Sequence, residues 1–132
     1  MAADIEKRFE VIEECYEFML AYAAQGLASD KGSESGRQVR EFLHRAVNAL
    51  IGLPAGCAEA MGGTPPPFLA VLERDASDSL DAMELVLAQP AISSQLIDNL
   101  NASVHLRALL TDVFLLGEVL RARQVATQAA GS

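Results

Sequence analysis

The chain has 132 residues, a formal net charge of −8 and 51% hydrophobic residues. A domain of that size can bury most of its apolar surface without a metal or disulfide staple. Five Phe, two Tyr and no Trp leave little for stacking on bases or sugars, and the acidic balance repels phosphate backbones and anionic lipid, so nucleic acid and membrane surfaces are poor partners.

The N-terminal segment Met1-Ala2-Ala3-Asp4-Ile5-Glu6 lacks the apolar stretch of a secretory signal, and no window of ~18 residues is apolar and uncharged enough to span a bilayer. Cys15 and Cys57 have no metal-type spacing and are expected to be unpaired, reduced thiols, in keeping with a cytoplasmic location.

The first predicted helix covers 4–26, with Asp4 as N-cap and Gly26 as C-cap. Ile5, Phe9, Ile12, Tyr16, Met19 and Ala23 repeat at three- and four-residue steps and define a core face, which Cys15, Leu20 and Tyr22 widen. Glu6, Glu10, Glu13, Glu14 and Glu17 take the wet side. Residues 27–36 read as a loop by composition. The second helix spans 36–51, with Val39, Phe42, Leu43, Ala46, Val47 and Leu50 inward. Its basic edge of Arg37, Arg40 and His44 should return beside the acidic side of the first helix and form surface ion pairs there.

Residues 52–67 contain Gly62-Gly63 and Pro65-Pro66-Pro67, which forbid a continuous helix, although 55–61 has room for a turn or two. This stretch is read as one long Gly/Pro-rich connection. A third helix is expected over 66–88, with Phe68, Leu72, Ala76, Ser79, Met83 and Val86 facing inward. Glu73, Ser77, Asp81 and Glu84 form its acidic outer edge, and Glu73, Asp81 and Glu84 are the candidate partner-binding residues. Asp75 falls close to the core side.

A short helix over 92–100 is followed by a break where Asn99, Asn101 and Ser103 cluster, with Asn101 or Ser103 capping the next helix. That last helix, 103–124, is the organising element. Leu106, Leu109, Leu110, Val113, Leu116 and Leu120 form one broad stripe, while Phe114, Leu115 and Val119 lie on the flanks. Its nine large side chains, at roughly 1.5–3 kcal/mol each when fully buried, are the chain's largest block of hydrophobic driving force. Such a helix is expected to be central or to pair with a second copy of itself. Leu109, Leu115, Leu116 and Val119 are the candidate homodimer interface. The tail 125–132 is expected to fray.

The fold class is therefore all-α: a single-domain four- to five-helix bundle. No nucleophile elbow, phosphate loop or zinc signature is present, so no catalytic residue and no cofactor is expected. Glu41 and His44 match the Glu-x-x-His element of ferritin-like bundles, which would bind a metal or small ligand in a site completed across a dimer. A second such element is missing, since Ala102 stands where the glutamate partner of His105 would be. The leading expectation is a non-catalytic acidic module acting by protein contact: an adaptor, assembly factor or small chaperone.

Overall fold

A computed structural model describes residues 2–130 of the backbone and the side chains of residues 4–129. Six helices follow in order: α1 (Ala2–Ala24), α2 (Glu34–Leu50), α3 (Leu53–Met61), α4 (Phe68–Leu87), α5 (Ser94–Ala102) and α6 (Val104–Ala130). They account for 81% of the described residues, among which there is no strand. None of the helices is long and apolar enough to cross a membrane.

The helix count of four to five is corrected to six, because the 52–67 connection contains α3. Gly52, at φ +79°, turns the chain sharply after α2, and Pro54 sits in the first turn of α3, where its missing N–H costs no hydrogen bond. The glycines and proline that suggest a loop are here the start of a nine-residue helix. The irregular part shrinks to 62–67. Boundaries move elsewhere too: α2 covers Glu34–Leu50, α4 Phe68–Leu87 and α5 Ser94–Ala102. α1 begins at Ala2, so Asp4 lies in its first turn rather than capping it. α6 runs on to Ala130 instead of ending at 124, and residues 131–132 of the expected tail lie outside the described residues. Ser33, Ser93 and Ser103 cap α2, α5 and α6, each accepting from the backbone N–H three residues on.

α1 and α2 run antiparallel, as three cross-links show. Arg8 reaches the carbonyls at the end of α2, Glu14 lies 3.9 Å from Arg45, and Phe18 stacks on Phe42 with ring centroids 4.6 Å apart. The ion pairs differ from those expected of Arg37, Arg40 and His44. Arg37 pairs within its own helix with Glu34 and Glu41, and Arg40 turns to Asp30 and the end of α4.

α1 and α4 each pack against α2, α3, α5 and α6, whereas α6 packs mainly against α1, α4 and α5, touches the end of α3 through Arg123, and leaves Leu115 and Val119 exposed. α6 is thus a flanking helix and not the central one. Its predicted stripe is nonetheless fully buried, from Leu106 to Leu120, in a core to which all six helices contribute.

The 25–33 connection is tied down throughout. Tyr22 Oη donates to the carbonyl of Ile92 (2.8 Å), Ser94 Oγ bridges Leu27 N and Tyr22 O, and the Asp30 carboxylate accepts from Arg40 and from Ile92 N (2.7 Å). Gly36 is needed for close approach, since a Cβ there would sit 1.8 Å from the Asp30 carbonyl oxygen.

Candidate protein-interaction site

Where α2 ends, α3 is too short and the 62–67 segment too rich in proline to close over α4. The result is a groove of about 710 Å3 between α2, α3 and α4. Its walls include Ile51, Ala55, Ala58, Pro66, Leu69 and Leu80, and its only charged lining residue is Glu73. Ile51 at the rim is 56% exposed. Pro66 and Pro67 lead directly into α4, their carbonyls accepting from Leu69 N and Ala70 N, and with Pro65 they form one wall of the groove.

Glu73, Asp81 and Glu84, the predicted partner-binding residues, are all exposed and follow one edge of α4 leading away from this groove. None of the three takes part in a side-chain hydrogen bond or ion pair among the described residues.

The predicted interface divides in two. Leu109 and Leu116 are 0% and 3% exposed and belong to the chain's own core, packed toward α1 and α4, so they are unavailable to a second copy. Leu115 and Val119 are 53% and 42% exposed. With Val104, Ala122 and Ala126 they share one side of α6, and exposed Phe114 and Val125 lie beside them. Polar residues edge this strip on both sides: Arg107, Thr111 and Glu118 on one, the last paired with Arg121 at 2.5 Å, and Arg123 on the other.

Glu41 and His44 are not brought into the bundle interior. Both are exposed on α2, and Glu41 is 2.6 Å from Arg37. No group of three or more His, Cys, Asp or Glu side chains suited to a metal ion occurs among the described residues. His105 is exposed at the start of α6, with Nδ1 4.0 Å from Asp78. Cys15 and Cys57 are both free and buried. Burial pushes the Cys15 thiol up to about 12 and raises that of Cys57 as well, which keeps both sulfurs protonated. Cys57 lies in α3, within the stretch expected to be a connection, and is buried there.

Sequence reasoning overlooked a carboxyl pair in the seam between α4 and α6. Asp112 is 3% exposed, one of its oxygens has no partner, and the carboxyl of Asp75 faces it. Desolvation first, and then the hydrogen bond and charge of Asp75, raise its pKa to about 7. The available signal was position: Asp112 lies three residues after Leu109 and four before Leu116, on the buried stripe itself.

The fold and these surfaces define an all-helical bundle with an uncovered apolar face and an acid-edged groove. No protein-family model matches the chain, and neither a curated protein nor a solved structure shows significant similarity to it.

Proposed function

We propose that this chain is a non-catalytic, acidic helical module that acts by contact with other proteins, as an adaptor, assembly factor or small chaperone, and that it forms a two-fold homodimer through the outer face of α6. The observation that carries this reading is the exposure of Leu115 and Val119 in the middle of a long helix, with exposed Phe114 beside them. Contiguous apolar surface of that kind is unusual on a monomer and marks interaction sites. A closed two-fold contact covers a helix face with the same face of a second copy. The small residues Ala122 and Ala126 on that side allow close approach of the two helices. Two free thiols suit a reducing compartment, here the cytoplasm.

Sedimentation at micromolar concentration tests the dimer, which should show twice the 14.1 kDa chain mass. Leu115→Glu with Val119→Glu should give a soluble, fully helical monomer, because neither side chain belongs to the core. A single 14.1 kDa species of the wild-type chain refutes the dimer.

A further inference from the structure

The groove beside α4 supports a sharper statement about partner chemistry, one that rests on the protein-contact function proposed above. We infer that the groove between α2, α3 and α4 docks a basic, amphipathic segment of a partner protein, its apolar side seated in the groove and its lysines or arginines along Glu73, Asp81 and Glu84. From Leu69 to Leu80 the α4 wall is about 16 Å long, which matches about three turns of a helical partner.

The occupant follows from what lines the site and what does not. The walls are aliphatic side chains and proline rings, the surface that receives the apolar face of a helix. A small-molecule site fixes its ligand with polar groups placed inside the cavity. Here the polar side chains are Glu73 and Ser77, on the α4 wall.

Charge then selects among partner segments. Glu73, Asp81 and Glu84 have no cation of their own. Arg74, the one basic residue of α4, lies on the Asp81 side of the helix but two turns, about 10 Å, before it, and among the described residues forms no ion pair with any of the three acids. Arg8, the cation near the α2 end of the groove, is committed to the carbonyls of Asn48, Ala49 and Ile51. A complementary segment must therefore bring the positive charge itself.

A second copy of this chain fits the groove poorly. Two copies each carry a net charge of −8, and beside the exposed α6 strip Arg121 is engaged with Glu118 and Arg123 with the Met61 carbonyl, which leaves Arg107 as a single cation to set against three carboxylates.

The test uses the full chain and an unbiased displayed library of peptides about 15 residues long. Peptides selected on the wild type are measured against three variants changed at exposed positions, each checked for its helical spectrum. Ala55→Trp fills the groove, Glu73→Lys with Asp81→Lys and Glu84→Lys reverses the edge, and Leu115→Glu with Val119→Glu alters the α6 face. The selected peptides should carry Lys or Arg beside apolar residues at three- and four-residue spacing. Their affinity should fall about tenfold or more on the first two variants and stay unchanged on the third. Selection of no binder, of acidic or uncharged binders, or of binders indifferent to Ala55→Trp overturns the inference. Self-association is read separately by sedimentation: a monomer that binds such peptides through the groove removes the dimer alone, and a dimer that binds none removes the groove alone.

Discussion

Asp30 and Asp112 are buried almost equally, at 7% and 3% exposure, and they behave in opposite ways. At the junction of α2, α4 and α5, Asp30 meets the guanidinium of Arg40 at 2.5 Å and accepts the Ile92 N–H. Arg40 holds its carboxyl below the usual carboxylate range, ahead of the opposing effect of burial. The same arginine donates to the carbonyls of Leu87 and Gln89 at the end of α4, so one ion pair ties a loop, the middle of α2, the end of α4 and the start of the 92–94 turn together. In the α4–α6 seam, Asp112 meets another acid and keeps an oxygen without a partner. Similar exposure does not give similar behaviour: at Asp30 the facing guanidinium outweighs desolvation, whereas at Asp112 desolvation leads and the facing acid adds to it.

The comparison breaks most strongly at Asp30. Asp30→Ala leaves the Ile92 N–H without its acceptor and Arg40 without its counter-charge. Removing one partner from such a buried pair costs about 3 kcal/mol, allowing for the two carbonyls that still hold Arg40. Urea unfolding at pH 7 should show that loss. A depressed native pKa also fixes the sign of the pH effect. The stabilisation is present above the unfolded value of about 3.9 and disappears as pH falls through the lower native value. The Asp30→Ala variant should therefore lose less stability than the wild type on acidification below pH 4. A wild-type-like midpoint for Asp30→Ala at pH 7 would show that Arg40 and the helix ends need no carboxylate between them.

The two aspartates also show where the sequence was legible. Every residue of the α6 stripe read at the 3.6-residue period, from Leu106 to Leu120, is buried. The break before α6 falls at Ser103, as expected from the polar cluster there. Periodicity is local, and local signals survive folding. Asp30 sits in a stretch whose composition says only loop, and its partners lie 10 and 62 residues away. Asp75 was visibly close to the core side of its helix, but its counterpart Asp112 lies on a different helix, and pairing between helices leaves no mark in one sequence. α3 was obscured because Gly52 and Pro54 serve a helix start there while carrying the composition of a turn. The groove was hidden for a related reason, since it exists only where three helix ends fail to cover α4.

Asp112 gives the middle effect, with the opposite sign. Its native pKa of about 7 lies above the unfolded value of about 3.9. Its contribution is thus fully present below pH ~4, declines as pH rises, and is gone above about pH 7, where the folded chain carries a buried charge beside Asp75. Asp112→Asn keeps the shape and a donor toward Asp75 but cannot ionise. At pH 8 it should be more stable than the wild type by about 2 kcal/mol, short of the ~4 kcal/mol that the full shift would imply by linkage. At pH 4.5 the two should differ little. Thermal unfolding across pH 4–9 checks this, and parallel curves for the two proteins would mean that Asp112 does not hold a proton in the folded state.

The smallest effect separates the causes of that shift. Burial ranks ahead of the hydrogen bond and charge of Asp75. Asp75→Asn removes the neighbouring charge and presents an N–H that an Asp112 carboxylate can accept, but it leaves Asp112 as deeply buried as before. The decline of stability between pH 4 and 7 should therefore shrink without vanishing, with a gain over the wild type of about 1 kcal/mol at pH 8, smaller than that of Asp112→Asn. If Asp75→Asn flattens the profile as completely as Asp112→Asn does, charge repulsion across the seam and not desolvation sets the proton affinity. The lesson drawn from Asp30 would then hold in its strongest form, with the facing group accounting for the whole difference between two equally buried acids.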